Sequence, residues 1–156
     1  MSVFSAIGNY IHEIQLDDPL ILAPDDGAAA FAGAVAGTAG WDCDHLEKTR
    51  ISGSEVRMAP QRLDVNGRSV VIVDDIISTG GTIATAASLL AQQGAREVYA
   101  ACVHGVLSGG AFARLKAAGI RDVVCSDTLE RGCSRYSAAT PIATALGYKA
   151  GKKRKR

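Results

Sequence analysis

The sequence predicts an α/β fold in which helices flank a mostly parallel central sheet. Short runs of apolar, largely β-branched residues alternate along the chain with Ala-rich segments that have helical spacing. No repeat interrupts this alternation, which favours a parallel sheet with helices on both faces. The length of 156 residues suits one domain with a proper core and is short for two.

Elements in the first third of the chain follow from apolar spacing and from turn residues. Apolar residues at helical spacing predict a helix over 5–14, and the apolar run 19–23 predicts a strand that leads into a turn. The small residues of 28–36 predict a helix that packs closely on a sheet, and 40–46 predicts a weaker strand. The polar, glycine-closed segment 47–53 is typical of a mobile loop.

The middle of the chain predicts a hairpin, the central strand and its helix. Segments 55–58 and 62–65 predict a small hairpin, and the second of them ends at an Asn-Gly turn. The central strand is predicted over 69–75, and a helix follows to about residue 93. Gly94 then ends this helix, since glycine is favoured just beyond a helix C-terminus.

The last third continues the alternation of strands and helices. Strands are predicted over 97–103 and 122–125, and a glycine-ended helix is predicted between them over 109–118. A closing helix is predicted over 138–146.

The charge distribution argues against a broad nucleic-acid-binding face. The formal net charge is +1, but five of the 17 basic residues lie in the terminal run 152–156. The remaining chain holds 12 basic and 16 acidic residues, so its net charge is −4. We therefore expect one mildly acidic domain over 1–148 and a basic, disordered tail over 149–156. A nucleic-acid contact of the tail is the less favoured interpretation.

Cysteine usage and hydropathy indicate a soluble cytoplasmic protein. The four cysteines form no C-x-x-C pair and no zinc-type spacing, which favours buried, reduced thiols over a disulfide or a metal site; they are Cys43, Cys102, Cys125 and Cys133. No signal peptide is recognisable, and no apolar run approaches the ~18 residues that a membrane span needs.

The stretch 70–82 carries the clearest functional pattern. Four β-branched apolar residues predict a buried strand, and Asp74 and Asp75 follow at its carboxyl end. A loop of hydroxyls and glycines then opens into a helix: Ser78, Thr79, Gly80, Gly81 and Thr82. Glycines let the backbone approach a phosphate, and the hydroxyls and the helix N-terminus supply donors. Carboxylates that accept hydrogen bonds from sugar hydroxyls complete a sugar-phosphate site. Taken separately, Ser78 or Thr79 could be a plain helix N-cap, and the two aspartates could be a solvated strand end.

Taken together, these residues resemble the phosphoribosyl-pyrophosphate motif of the type I phosphoribosyltransferase fold. In that family the loop binds the 5-phosphate of the ribose, and the paired acids bind its 2- and 3-hydroxyls. The resemblance implies a three-layer type I phosphoribosyltransferase-like fold. It also implies that ribose 5-phosphate is bound by Asp74, Asp75, Ser78, Thr79, Gly80, Gly81 and Thr82.

Four further segments are similar to ribose-phosphate pyrophosphokinases, archaeal forms in particular. They are 23–28, 46–50, 104–109 and 126–128, and the collinear resemblance runs over about 5–148. It corresponds to the C-terminal of the two halves of that enzyme. The resemblance implies a transferase of nucleotide biosynthesis, a kinase that moves the β,γ-diphosphate of ATP to the 1-hydroxyl of ribose 5-phosphate. The ATP-binding segments of the N-terminal half have no counterpart in this sequence.

The same resemblance implies roles for residues outside the phosphoribosyl motif. Lys48 and Arg50 match the Lys-x-Arg of a flexible catalytic loop, where cations stabilise the transferring diphosphoryl group. Asp25 matches an aspartate that helps to hold Mg²⁺, and Asp26 and Gly27 match the diphosphate loop. His104 matches a family histidine, but a histidine at a strand end is more often structural than catalytic.

Three interpretations of function remain open at this point. In the first, the chain is a pyrophosphokinase half that needs an N-terminal half or partner for ATP. In the second, it is a compact phosphoribosyltransferase that acts on a nucleobase. In the third, it is a non-catalytic sugar-phosphate-binding regulatory or assembly protein. We expect a homo-oligomer or a complex with a chain that supplies the N-terminal half, and no membrane partner.

Overall fold

The central layer of the protein is a seven-stranded sheet. This computed structural model describes residues 3–50, 56–60 and 63–148, without the side chains of 48–50 and 56–59. The strands are β1 (Pro19–Ala23), β2 (Asp42–Arg50), β3 (Val56–Pro60), β4 (Ser69–Ile77), β5 (Glu97–Gly105), β6 (Ile120–Ser126) and β7 (Ser134–Tyr136). Their order is β3-β2-β1-β4-β5-β6-β7. Only β2 and β3 pair antiparallel, so the predicted α/β class with a mostly parallel sheet is confirmed.

Helices cover both faces of this sheet and make three layers. They are α1 (Val3–Glu13), α2 (Ala29–Ala36), α3 (Gly81–Gln92), α4 (Ala111–Ala117) and α5 (Ala139–Ala145), with a short 3-10 helix at Asp26–Ala28. Alternate residues of the central strands face opposite layers. Ile21, Val71 and Val73 pack with α1 and α2, and Leu22, Val70 and Ile72 pack with α3 and α4. The two apolar clusters therefore hold the central strands from both sides.

The edge beyond β1 differs from the prediction. Residues 47–50 were predicted as part of a mobile loop, but they continue β2, and residues 51–53 lie outside the described part. β3 pairs with β2, with Lys48 beside Met58, so the predicted pairing of 55–58 with 62–65 is wrong. The extension of β2 over 47–50 is polar and is held by backbone pairing with β3 rather than by an apolar face, which leaves little sequence signal.

Four smaller observations also bear on the prediction. The short strand β7 was not predicted, and its three residues lack an apolar pattern. Cys43 is exposed on β2, so the expectation of buried thiols is wrong for this cysteine and right for Cys102, Cys125 and Cys133. The basic tail over 149–156 lies outside the described residues, and its disorder stays a prediction. Among the helices of the described part, none is long and apolar enough to span a bilayer.

Candidate functional site

Strand β4 places the acidic pair at the carboxyl edge of the sheet. Its first five residues, 69–73, are fully buried, whereas Asp74 is half-buried and Asp75 is exposed. The strand runs two residues beyond the predicted end, with Ile77 beside Gly105 of β5. β4 is hydrogen-bonded to β5 both before and after the two aspartates, which fixes the backbone that carries their carboxylates.

The hydroxyl and glycine loop follows directly and leads into α3. Gly80 adopts φ +71°, a left-handed conformation that L side chains rarely take. A Cβ at Gly80 would also lie 3.1 Å from the side chain of Leu115 on α4. The exposed side chains of Ser78, Thr79 and Thr82 complete the loop. A cavity of about 200 Å³ is lined by Asp74, Ile76, Ile77, Ser78, Thr79, Gly80, Gly81, Thr82 and Ile83.

A second cavity, of about 290 Å³, adjoins the first at Asp74. Its lining comprises Asp25, Gly27, Ala28, Phe31, Asp74 and Asp75. The turn after β1 therefore faces the acidic pair of β4, as neighbouring parallel strands would place them. The Asp25 carboxylate also accepts a hydrogen bond from the Ala28 N–H at 3.3 Å, which caps the short 3-10 helix. Asp26 does not line this cavity, and its side chain is almost fully exposed.

The electrostatics of the site centre on Asp74. The pKa of Asp74 is raised to about 6, chiefly by burial and to a smaller extent by the neighbouring carboxylates of Asp75 and Asp25, while the Asp75 N–H acts in the opposite direction. That N–H donates to Asp74 Oδ1 at 2.9 Å. The carboxylate is thus partly protonated near pH 6, and a bound cation or hydroxyl donor would favour its charged form.

The donor set suits a hard cation only in part. Within the described residues, no group of three or more His, Cys, Asp or Glu side chains is arranged to hold a metal ion. Mg²⁺ is usually held by one or two carboxylates together with substrate oxygens. The carboxylates of Asp25, Asp74 and Asp75 around one cavity are donors of that type.

The backbone of the predicted catalytic cations lies at the same edge of the sheet. β2 runs parallel to β1, with His45 beside Ala23, the last residue of β1. Residues 46–50 therefore extend beyond the carboxyl end of β1, beside the turn that contains Asp25. The side chains of Lys48 and Arg50 lie outside the described part, so their distances to the site stay predictions.

Sequence reasoning missed the residues that support the loop from behind. The Arg114 guanidinium donates to the Thr79 carbonyl through Nη1, and to the Gly109 carbonyl at 3.3 Å through Nη2. The Ser108 N–H donates to the Ser78 carbonyl at 3.1 Å. An arginine in a short Ala-rich helix carries no pattern that could have indicated this contact.

Comparison with known proteins places this geometry in a family. The family model described as "Phosphoribosyl transferase domain" matches residues 2–126. A "Ribose-phosphate pyrophosphokinase" of Methanosarcina acetivorans is 48% identical over 142 residues, which cover 91% of this chain and 50% of the relative. The protein of the same name from Methanopyrus kandleri is 44% identical over 147 residues, which cover 94% and 50%. The chain thus spans about half the length of these relatives.

Solved structures agree with this assignment. The crystal structure of phosphoribosylpyrophosphate synthetase from Mycobacterium smegmatis superposes with a TM-score of 0.76 at 31% identity, over 94% of this chain and 50% of that one. The APRTase from Giardia lamblia, complexed with 9-deazaadenine, matches with a TM-score of 0.63 at 16% identity, over 79% of each chain, and shows the fold alone. The predicted three-layer fold is confirmed by these likenesses. The chain therefore belongs to the phosphoribosyl transferase domain family, within which it corresponds to the C-terminal half of archaeal ribose-phosphate pyrophosphokinases.

Proposed function

We propose that this chain is the ribose-phosphate-binding half of a ribose-phosphate pyrophosphokinase. The observation that carries the proposal is the position of Asp74, which lines both adjoining cavities. One cavity offers the hydroxyls and glycines of a phosphate loop, and the other offers carboxylates beside the turn after β1. A ribose carrying a 5-phosphate at one end and a reacting 1-hydroxyl at the other fits this division.

Each group of the ligand has a matching group in the site. The loop Ser78–Thr82 binds the 5-phosphate, because its hydroxyls and the start of α3 supply donors. Asp74 and Asp75 accept hydrogen bonds from the 2- and 3-hydroxyls of the ribose. Asp26 and Gly27 lie in the turn that receives the diphosphate of phosphoribosyl pyrophosphate.

The proposed reaction is a diphosphoryl transfer. The 1-hydroxyl oxygen of ribose 5-phosphate bonds to the β-phosphorus of ATP, the bond from that phosphorus to the α,β-bridging oxygen breaks, and AMP leaves. The hydroxyl proton passes to solvent. Lys48 and Arg50 stabilise the negative charge on the transferring group, since such transfers depend mainly on positioning and on cations. Mg²⁺, held by Asp25 together with substrate oxygens, supplies further charge neutralisation when it is bound.

The site for ATP is proposed to come from outside this sequence. The chain spans about half the length of the relatives that it matches. An N-terminal half in a partner chain would present ATP to the carboxyl edge of the sheet. Ribose 5-phosphate binding is then the property that this chain should show by itself.

Calorimetry of ribose 5-phosphate with the full chain tests that property. The double variant Asp74→Asn/Asp75→Asn removes the two acceptors for the ribose hydroxyls, and we expect its affinity to fall at least ~10-fold. The matched control is Asp17→Asn/Asp18→Asn. It makes the same change of charge at two adjacent, exposed aspartates near the amino ends of the strands. There, Asp17 forms an ion pair with Arg96, and Asp18 forms one with Arg68. Equal affinity in all three proteins would reject the site.

Product analysis separates the pyrophosphokinase from the two alternatives. With an N-terminal half supplied, ATP and ribose 5-phosphate should yield AMP. Release of pyrophosphate from phosphoribosyl pyrophosphate with a nucleobase, and no AMP formation, would instead support the base-transferring enzyme. Binding of the sugar phosphate with neither product would support the non-catalytic protein.

A further inference from the structure

Three consecutive carbonyls, that of Ile77 at the end of β4 and those of Ser78 and Thr79 in the following loop, accept hydrogen bonds from one neighbouring segment, residues 107–114. The Leu107 N–H donates to the Ile77 carbonyl at 3.0 Å, and the Ser108 N–H donates to the Ser78 carbonyl at 3.1 Å. The Arg114 guanidinium donates to the Thr79 carbonyl. Carbonyls that all turn to the same side are unlike the alternation of a β-strand, so the chain curves at this point.

The amide groups of the same peptide units face the other way. No cis peptide bond is present in the described residues, and the C=O and N–H of a trans unit point in opposite directions. The N–H groups of Ser78, Thr79 and Gly80 therefore turn away from residues 107–114. None of the three donates to another group in the part of the chain that the structure describes. Successive amides that turn to one side in this way form an anion-binding concavity.

Helix α4 supports the third of these carbonyls in two ways. Leu115 packs against Gly80, where no side chain would fit without displacement. Arg114 bridges the carbonyls of Thr79 and Gly109 with its two terminal nitrogens. Of the three donors, only Arg114 is a side chain, and thus only this hydrogen bond can be removed by a substitution that leaves the backbone unchanged.

The charge of Arg114 is also available to the site. Arg114 is exposed and forms no ion pair with a carboxylate of the described residues. A guanidinium hydrogen-bonded to the Thr79 carbonyl would add electrostatic attraction for a phosphate dianion held by the same loop.

We propose that Arg114 is a positioning residue for the phosphate loop. By holding the Thr79 carbonyl against α4, it aims the Gly80 N–H at the 5-phosphate and places a positive charge behind it. This role rests on the proposed function, because it concerns the same ligand. The flat, forked guanidinium can hold two carbonyls at once, which a lysine ammonium on a flexible stem does less well.

The test compares Arg114→Gln with Arg114→Lys and with the control Arg121→Gln. Arg121 is also an exposed arginine near α4, but it forms an ion pair with Glu97 at the amino ends of the strands, away from the site. By calorimetry, we expect ribose 5-phosphate to bind about tenfold more weakly to Arg114→Gln, less weakly to Arg114→Lys, and unchanged to Arg121→Gln.

Amide chemical shifts provide a readout that a merely structural role would not move. Titration of the wild-type chain with inorganic phosphate should shift the amide signals of Ser78, Thr79 and Gly80. In Arg114→Gln, the phosphate-induced change in the amide chemical shift of Gly80 should be reduced more than those of Ser78 and Thr79. The peptide units of these two amides keep their hydrogen bonds from the Leu107 and Ser108 N–H groups. Equal Gly80 shifts in Arg114→Gln and wild type, or equal affinities for ribose 5-phosphate, would overturn the proposal.

The two proposals fail in distinguishable ways. If the wild-type chain binds neither ribose 5-phosphate nor inorganic phosphate, the proposed function itself fails. If the wild type and Arg114→Gln bind both equally well, only the role of Arg114 is rejected. If Arg114→Gln does not fold, the comparison rests on Arg114→Lys. Wild-type affinity for ribose 5-phosphate and an unchanged Gly80 amide shift in that variant would contradict the proposed role of the guanidinium in holding two carbonyls.

Discussion

The loop over 78–82, which we propose to bind phosphate, and the edge strands β2 and β3 are built in opposite ways. The loop follows a strand whose first five residues are fully buried, and it is held by hydrogen bonds from residues 107–114. β2 is mostly polar and β3 mostly apolar, and the two strands are joined to the rest of the sheet on one side only, through β1. Both regions reach the carboxyl edge of the sheet, where the proposed ligand would lie.

The difference separates binding from catalysis in the proposed site. The groups assigned to ribose 5-phosphate sit on a backbone that is hydrogen-bonded to β5 and to residues 107–114, so their arrangement is formed before the ligand binds. Lys48 and Arg50 sit on an edge hairpin whose outer side has no neighbouring strand within the described residues. An edge element is easier to displace, which suits cations that must close over the reacting groups. Substitutions in the loop should therefore lower the affinity for ribose 5-phosphate, whereas substitutions of the edge-strand cations should lower turnover.

The largest effect is expected at Lys48. In a chimera that joins this chain to the N-terminal half of the Methanosarcina acetivorans relative, Lys48→Ala should lower AMP formation at least ~100-fold. Ribose 5-phosphate affinity should stay unchanged, because the cation acts on the transferring group. The control Lys116→Ala, exposed on α4, should keep full turnover. Unchanged turnover in Lys48→Ala would remove the catalytic assignment and with it the contrast between the regions.

A smaller effect, a loss of overall stability, is expected when Gly80 is substituted. Gly80→Ala places a Cβ at φ +71° and 3.1 Å from Leu115, so the free energy of unfolding should fall by about 2 kcal/mol. The matched control is Gly81→Ala, whose nearest neighbour would be Thr79 Oγ1 at 4.0 Å. Urea denaturation should show no loss for this control, since alanine is favoured inside a helix. Equal losses in both variants would show that the loop is less constrained than proposed.

The pH dependence of stability should report on Asp74. Its pKa is raised to about 6 in the folded chain from an ordinary value of 3.8, so the folded state binds the proton more tightly than the unfolded state. Stability conferred by this group therefore falls as the pH rises from about 4 to 6. Asp74→Asn should be more stable than wild type at pH 7.5, and this advantage should disappear by pH 4. Denaturation without divalent cations measures both, and a pH-independent difference would contradict the assignment.

The smallest effect is a difference in thiol reactivity between the regions. Cys43 on β2 is exposed, whereas Cys102 on β5 is buried, and burial raises the pKa of Cys102 to about 12. Burial likewise raises the pKa of Cys133 to about 11. Cys43 should thus account for the fast reaction with a chromogenic disulfide at pH 8. A fast phase that persists in Cys43→Ser would show that the central sheet opens more readily than its packing suggests.

Most of the fold could be predicted because its central strands are buried on both faces. The segments 19–23, 69–75 and 97–103 read as strands, since a strand covered on both sides needs a continuous apolar run. The positive φ of Gly94 and Gly119 likewise agrees with their predicted place at helix ends. β2 beyond Leu46, the partner of β3 and the short β7 could not be predicted, because backbone pairing at an edge does not constrain side-chain type.

By itself, the sequence determined the composition of the phosphoribosyl motif and the order of the elements around it. The motif is contiguous, so carboxylates, hydroxyls and glycines reach one place through local chain geometry alone. Only the tertiary structure decided that Asp25 shares a cavity with Asp74 and Asp75, and that Arg114 clamps Thr79. These groups are separated by many residues along the chain. Their meeting depends on strand order and on how α4 packs beside the loop, which no local pattern encodes.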